Sequence, residues 1–255
     1  MPLPVSLPPT FASALAGPDP LIGLWASAGS AATAEIVAAA ADWVLIDAEH
    51  SPYDLSTVTD LLRAVSAYPA IPVVRVPTCD TVVIKRFLDL GAQNLMVPMV
   101  HSPSIAQEAV AAMHYPPRGV RGVGSALARS SRWNAVPDYL ARASETLSLT
   151  VQIESPEAVA AAADIARVDS VDAVFIGPSD LAATMGHLGN PQHPDVRAAV
   201  AQAIAAVRAT GTPVGVNSFD LAAARGYLEA GATFVNIGAD VQLLAQAVRA
   251  AVSQF

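Results

Sequence analysis

Short runs rich in β-branched residues recur eight times along the chain, and a longer alanine-rich segment with helical periodicity follows each of them. The runs are continuously apolar, which is typical of strands covered on both faces of a parallel sheet. We predict strands at 22–25, 43–47, 72–76, 94–99, 149–154, 173–177, 213–217 and 234–238. Eight strand–helix units in 255 residues predict a (β/α)8 TIM barrel.

The chain shows no linker and no repeat other than the strand–helix unit. We therefore predict one domain, residues 1–255, in which residues 1–20 form an N-terminal extension. A doubly wound open sheet is the alternative fold, but no GxGxxG motif follows the first strand. The one long irregular segment, residues 115–134, holds three glycines and four arginines and is predicted to be an ordered substrate or interface loop.

The composition bears on partners and location. Hydrophobic residues make up 53% of the chain and charged residues 14%, which predicts that sister subunits cover some helix faces. The net charge is −8 and the first basic residue is Arg63, which argues against binding to nucleic acid or to anionic membranes. The N-terminus lacks the charged head of a signal peptide, no apolar stretch is long enough to span a bilayer, and Cys79 is the only cysteine. We expect a cytoplasmic protein.

Polar side chains gather where the predicted strands end. In a TIM barrel the carboxyl ends of the strands meet at the catalytic face, so these side chains should converge. Burying such a set without a use would cost stability, although single members can also serve as helix caps or ion pairs. The set comprises Trp25, Asp47, Glu49, His50, Arg75, Gln152, Glu154, Ser179, Asp180 and Asn217.

Glu154 and Asp180 are candidate metal ligands. They close or follow neighbouring strands, and carboxylate oxygens suit Mg²⁺, Mn²⁺ or Co²⁺ better than zinc. Asp180 can equally be read as the N-cap of the helix that begins there. Backbone N–H groups at that helix start would also suit a substrate carboxylate.

Arg75 and His50 are candidate catalytic groups. Arg75 ends a buried strand and can stabilise a ketone oxygen that acquires negative charge. The alternative is a structural ion pair with Asp47 or Glu49. His50 is placed as a general base near neutral pH, and Asp47 is a possible orienter of it.

Other titratable residues are less informative. Asp89 lies in the last turn of a helix, where it opposes the macrodipole, so we expect a cation such as a histidine to hold it. Lys85, the only lysine, falls within a predicted helix and not at a strand end. A Schiff-base aldolase mechanism is therefore not expected, and a metal would have to stabilise a carbanion. The remaining four histidines are interpreted as surface or loop residues; they are His101, His114, His187 and His193.

Several motifs together resemble the HpcH/HpaI class II aldolases. These are LIDAEHSP, PVVRVP, YPPRGVRGVGSALARSSRW, VQIES and FIGPSDLA followed by GNPQHP. The resemblance extends from Ile22 to Phe255. It implies a phosphoenolpyruvate/pyruvate-type TIM barrel that depends on a divalent metal, has no organic cofactor, and reversibly joins pyruvate to an aldehyde. Its substrates would be 4-hydroxy-2-oxo acids such as 4-hydroxy-2-oxoheptanedioate, and succinic semialdehyde would be one aldehyde product.

The resemblance also implies roles for the matching residues. His50 would accept the proton, Arg75 would stabilise the enolate, and Asp89 would raise the basicity of the histidine, across a subunit boundary in one arrangement. Metal binding is implied for Glu154 and Asp180, and pyruvate binding for Gln152, Ser179, Asp180 and Trp25. The family is usually a hexamer, a trimer of dimers whose barrels exchange their C-terminal helix.

Two departures from the family pattern affect specificity. Ser179 stands where the family more often has alanine, and the segment GVNSFD after the seventh strand differs from the heptanedioate pattern, which leaves the aldehyde partner open. Two alternative functions stay open as well. One is an acyl-CoA lyase of the citrate lyase or malyl-CoA lyase type, and the other is a non-catalytic barrel that binds a keto acid.

Overall fold

The computed structural model describes residues 5–255 and contains a closed barrel of eight parallel strands paired in chain order. The strands are β1 Leu21–Ala26, β2 Trp43–Asp47, β3 Ile71–Arg75, β4 Asn94–Val97, β5 Ser148–Ile153, β6 Ala173–Ile176, β7 Val214–Asn217 and β8 Phe234–Ala239. The predicted TIM barrel is confirmed, and every strand begins and ends within two residues of its predicted bounds.

Helices alternate with the strands and cover the outside of the barrel, except α1, which packs across its floor. They are α1 Phe11–Leu15, α2 Ala31–Ala38, α3 Leu55–Val65, α4 Thr81–Asp89, α5 Pro103–Met113, α6 Tyr139–Arg142, α7 Pro156–Ala160, α8 Ala162–Ala166, α9 Pro178–Thr184, α10 Pro194–Arg208, α11 Leu221–Glu229 and α12 Asp240–Val252. Side-chain caps from residues such as Ser30, Asp54 and Asp80 satisfy the first N–H groups of several helices. None of the helices in residues 5–255 is long and apolar enough to cross a bilayer.

The lower part of the barrel interior is filled by aromatic side chains. Trp43, Phe175 and Phe234 meet with ring centroids 5.7–6.1 Å apart, and Phe11 of α1 closes the floor at 5.2 Å from Trp43. Gly23 makes room for this layer, because a Cβ there would lie 2.1 Å from the Trp43 ring. The N-terminal extension thus closes the floor of the barrel. Its residues 1–4 lie outside the described part of the chain.

Candidate active site

The pleat of β2 and β3 explains why charged groups reach the barrel mouth. Trp43 and Leu45 of β2 face the barrel interior, so the two-residue period of a strand turns Asp47 inward as well. Val73 and Arg75 follow the same pattern in β3. The register pairs Asp47 directly with Arg75, which sets the carboxylate beside the guanidinium.

In β5 the inward-facing positions are all polar. Ser148 accepts a hydrogen bond from the backbone of the N-terminal helix at the floor, and Gln152 and Glu154 lie at the opposite end. Leu149, Val151 and Ile153 face outward into the helix layer. One strand therefore carries polar groups from the floor to the mouth, and this is why VQIE places both functional side chains on one face.

Arg75 is held on several sides. Its Nε donates to Asp47 Oδ1 at 2.9 Å, and its Nη1 lies 3.4 Å from Gln152 Oε1. Glu49 Oε2 is 2.9 Å from Nη1, at an angle too poor for a hydrogen bond, so this contact is an ion pair. The guanidinium carbon sits 4.2 Å above the ring of Trp25. The ion pair named as the alternative role for Arg75 is present, and it fixes the orientation of the guanidinium.

Trp25 forms the support beneath Arg75. The indole is buried, and its Nε1 donates to Asn217 Oδ1 at 2.9 Å, which ties β1 to β7 across the barrel mouth. Its contacts are therefore with the arginine and with the end of another strand. A direct contact between Trp25 and substrate stays a prediction.

Glu154 is the most deeply buried carboxylate of the predicted metal pair. Its Oε1 accepts the Met99 N–H at 2.8 Å, and its Oε2 accepts from Gln152 Nε2 at 2.5 Å. Burial raises the pKa of Glu154 to about 7, and the charges of Asp180 and Glu49 act in the same direction, while the two hydrogen bonds lower it. Because the Asp180 charge raises the pKa of Glu154, the two carboxylates are close enough to interact electrostatically.

Ser179 and Asp180 lie exposed in the first turn of α9. The interpretation of Asp180 as an N-cap is wrong, because α9 begins at Pro178 and Gly177 occupies the cap position without a side-chain bond. Proline is favoured at the first helical position since its missing N–H is not needed there. Asp180 is therefore free of a capping role and complements the helix dipole from inside the first turn.

His50 follows β2 on a short loop, and its side chain is 66% exposed. The carboxylate recorded beside it is Glu49, whose Oε2 lies 3.9 Å from His50 Nε2. Asp47 Oδ1 accepts the backbone N–H groups of Glu49 and His50 at 3.1 and 3.4 Å. Asp47 therefore fixes the loop that carries the histidine, and its role as orienter of the imidazole stays a prediction.

Asp89, at the end of α4, is held by a cation within the chain, as expected. The cation that holds it is Arg121, whose Nη2 donates to Asp89 Oδ1 at 3.0 Å, and not a histidine. Arg121 is fully buried and stacks 4.6 Å from the Tyr115 ring. Among the described residues of one chain, Asp89 makes no contact with His50. The segment 115–134 is thus packed against the end of α4 and is ordered there.

Three groups at the site were not assigned a role from the sequence. Glu49 bridges Arg75 and His50, and burial raises its pKa while Arg75 opposes that shift. Met99 supplies a backbone N–H from a residue at φ 55°. Gly177 lies against the Glu154 carboxylate. Glu49 could have been found from its charge and its position next to His50 in the motif DAEH. The roles of Met99 and Gly177 could not, because a backbone N–H donor and a close backbone approach do not depend on a distinctive residue type.

The donor set fits a hard divalent ion. Asp47, Glu49, Glu154 and Asp180 contribute four carboxylates at the barrel mouth, and Arg75 is the cation paired with two of them. Oxygen donors with excess negative charge are the ligands that Mg²⁺ and Mn²⁺ prefer. A divalent ion beside Glu154 would favour its charged form, against the burial that raises the pKa of this carboxyl.

Metal affinity is expected to rise with pH up to about 7. A divalent ion must displace the Glu154 proton, so the apparent Kd for Mn²⁺ should weaken about tenfold for each pH unit below that value. Calorimetric titration with Mn²⁺ from acidic to mildly alkaline pH measures this, and the Glu154→Gln variant should lose the dependence of Kd on pH.

The stability of the metal-free protein should also depend on pH. Because the folded-state pKa of Glu154 is raised from 4.5 to about 7, its stabilising contribution should be lost over that interval as pH rises.

Gly177→Ala is expected to weaken metal binding while leaving the fold intact. The new Cβ would lie 2.8 Å from Glu154 Oε2 and 3.3 Å from Gln152 Nε2, so the carboxylate would have to move. We expect a rise of about tenfold in the metal concentration for half-maximal activity, within the 10–100-fold range of changes beside a ligand. Gly226→Ala is the control, because no atom lies within 4 Å of its Cβ. Equal metal dependence in both variants would contradict the close approach.

The geometry can now be compared with known proteins. Residues 21–247 match the family model described as HpcH/HpaI aldolase/citrate lyase. The chain belongs to this family. A 4-hydroxy-2-oxo-heptane-1,7-dioate aldolase of Salmonella dublin is 50% identical over 246 residues, which cover 96% of this chain and 94% of the relative.

Solved structures agree with this assignment. A HpcH/HpaI aldolase/citrate lyase family protein from Burkholderia cenocepacia J2315 is 42% identical, with a TM-score of 0.91 over 95% of this chain and 97% of that one. A HpcH/HpaI aldolase from Desulfitobacterium hafniense DCB-2 is 28% identical, with a TM-score of 0.85 over 95% and 93%. This HpcH/HpaI family member is therefore a carbon–carbon lyase of the aldolase type, and its family is generally dependent on divalent metals.

Proposed function

We propose that this family member cleaves 4-hydroxy-2-oxo acids, such as 4-hydroxy-2-oxoheptanedioate, to pyruvate and an aldehyde such as succinic semialdehyde, and catalyses the reverse addition. The observation that carries the proposal is the arrangement at the barrel mouth, where Gln152 links the fixed Arg75 guanidinium to the buried Glu154 carboxylate, whose pKa is raised to about 7. The names of relatives that are 50% identical support the substrate class.

In this proposal Glu154 and Asp180 hold one divalent ion, Mg²⁺, Mn²⁺ or Co²⁺. When bound, the ion would supply Lewis acidity to the keto acid. Gln152 orients Glu154 through its amide and keeps its carbonyl toward Arg75. The N–H groups of Ser179 and Asp180 at the start of α9 seat the substrate carboxylate, which the helix dipole favours.

Arg75 is assigned the developing enolate oxygen. Its guanidinium is already fixed by Asp47, Glu49 and the Trp25 ring, so little reorganisation is needed when charge moves onto that oxygen. Such preorganised donors are typically worth about 10²–10³-fold in rate.

His50 is assigned the 4-hydroxyl proton. The imidazole is exposed at the mouth, where a substrate hydroxyl can reach it, and the Glu49 carboxylate lies 3.9 Å from its Nε2. Loss of that proton breaks the C3–C4 bond, which releases the aldehyde and leaves pyruvate enolate beside Arg75. Protonation at C3 then gives pyruvate.

Pyruvate release from a panel of 4-hydroxy-2-oxo acids, measured with metal-supplemented enzyme, tests the proposal. We expect turnover of free keto acids and none of citramalyl-CoA, a thioester whose cleavage would also release pyruvate. Turnover of a thioester without turnover of any free 4-hydroxy-2-oxo acid would instead favour the acyl-CoA lyase, and binding of pyruvate without either reaction would favour the non-catalytic barrel.

We further propose a hexamer, built as a trimer of dimers, in which α12 is exchanged. Within one chain α12 buries only Asp240, and its apolar side chains are exposed, among them Leu244, Val248 and Val252. A second exposed apolar patch lies on the segment 115–134, at Val123, Leu127 and Trp133. Two separate apolar patches provide the two kinds of contact that a trimer of dimers requires. We also propose a cytoplasmic enzyme, and the lone, half-buried Cys79 supports this because disulfides are rare in the cytosol.

Hybrid oligomers test whether Asp89 acts on His50 of another subunit. His50→Ala and Asp89→Asn chains should each be nearly inactive, but their co-expression at equal levels should restore about a quarter of the wild-type sites if the pair spans the interface. A hybrid of His50→Ala with Glu154→Gln is the control, because both residues follow strands of one barrel mouth. If the first hybrid recovers no more activity than the second, the cross-subunit assignment is wrong.

A further inference from the structure

His187, His193 and Asp195 form a compact cluster outside the catalytic mouth. His187 follows α9, while His193 and Asp195 begin α10. Asp195 Oδ2 lies 3.5 Å from His187 Nε2 and 3.6 Å from His193 Nδ1. The two imidazole rings stack with centroids 3.5 Å apart and planes 14° apart. Two half-buried histidines and one exposed carboxylate thus bring one polar atom each within 4.8 Å of the others. Because the rings are nearly parallel, one of them must turn out of the stack before both in-plane lone pairs can reach one ion.

The spacing of these atoms matches a metal site. A tetrahedral ion about 2.1 Å from each ligand has its ligand atoms about 3.4 Å apart. The two contacts of Asp195 Oδ2 are close to that spacing, and all three donor atoms lie within 4.8 Å of one another. Among residues 5–255 this is the group of three or more His, Cys, Asp or Glu side chains whose ligand atoms all lie within 4.8 Å of one another.

A metal at His193 would displace one hydrogen bond. The Nδ1 of His193 accepts the Asp195 backbone N–H at 3.3 Å. The bond is long, and its loss to a metal would cost little at an exposed helix start. For His187 Nε2, the contact recorded within the described residues is the one with Asp195.

We propose that His187, His193 and Asp195 form a second metal site for a borderline-soft divalent ion, Zn²⁺, Co²⁺ or Ni²⁺, with water in the remaining position. Two imidazoles and one carboxylate suit these ions, whereas Mg²⁺ prefers oxygen ligands alone. Occupancy ties the loop after α9 to the first turn of α10. The site is separate from the oxygen-rich pair Glu154 and Asp180, and it requires no catalytic step.

Metal titration of untagged, chelator-treated Glu154→Gln protein isolates this site from the catalytic one. We expect one equivalent of Zn²⁺ or Co²⁺ per chain by calorimetry and by Co²⁺ absorption, without competition from millimolar Mg²⁺. Adding His187→Ala or His193→Ala should weaken that binding by more than about 100-fold, since changes beside a ligand already cost 10–100-fold. Adding His101→Gln, a histidine bonded to Ser155 and outside the cluster, should leave it unchanged.

The outcomes are separable from the aldolase proposal. Single His187→Ala protein should keep wild-type pyruvate release, and each variant should melt at the temperature of its metal-free parent, which shows that it folds. Asp195→Asn provides a third, nearly isosteric test of the same ligand set. No stoichiometric binding in Glu154→Gln protein, or binding that survives loss of either histidine, overturns the second site and leaves the proposed reaction untouched.

Discussion

Glu154→Gln is expected to reduce metal-dependent pyruvate release to the level measured in excess chelator. The glutamine keeps the size of the side chain and can still accept the Met99 N–H, but it removes the buried negative charge and the acceptor that Gln152 Nε2 uses. Lewis-acid stabilisation is worth several kcal/mol, so we expect a loss on the order of 10³-fold in kcat/KM. Rates measured over a titration of Mg²⁺, Mn²⁺ and Co²⁺ give this value.

Glu157→Gln is the matched control for that experiment. Glu157 lies three residues after Glu154 and is exposed in the first turn of α7. Its substitution makes the same chemical change at a solvent-exposed position. It should leave both rate and metal dependence within about twofold, as expected of a surface substitution. Wild-type activity of Glu154→Gln in chelator would remove the basis for a metal at this site.

His50→Ala is expected to lower kcat by about 10²–10⁴-fold, the usual contribution of a positioned proton acceptor. Because the imidazole is 66% exposed, its removal should leave the melting temperature and the Mn²⁺ affinity close to wild type. Rapid-mixing measurement of pyruvate release, paired with calorimetric Mn²⁺ titration, separates the two effects.

His101→Ala serves as the matched histidine control at the same end of the barrel, where its ring is bonded to Ser155. It should retain most of the wild-type kcat. If His50→Ala and His101→Ala slow the reaction equally, the proton acceptor has been placed on the wrong residue.

Much of the barrel mouth follows from strand periodicity. The run WVLID predicts a buried strand, and its pleat carries Asp47 inward two positions after Leu45. The same reasoning places Arg75 at the end of β3 and Glu154 after β5. These residues were predictable because strand ends and side-chain alternation are local properties of the chain.

Contacts made by loops were harder to predict. Arg121 reaches Asp89 across 32 positions of sequence. The packing of the segment 115–134 has no periodic signature, so a cation beside Asp89 was expected from charge alone and its identity as Arg121 was not predicted. The N-cap assignment of Asp180 was wrong for a related reason, because Pro178 moves the helix start upstream.

Deuterium exchange of the pyruvate methyl group tests the central claim most directly. In D₂O the enzyme should form the enolate from pyruvate alone. The experiment can therefore be done without knowing the physiological aldehyde. We predict exchange, observed by proton NMR, that requires a divalent metal and disappears in chelator and in Glu154→Gln protein. Exchange that proceeds at an unchanged rate in chelator, or its absence from metal-loaded wild-type enzyme, would contradict the account.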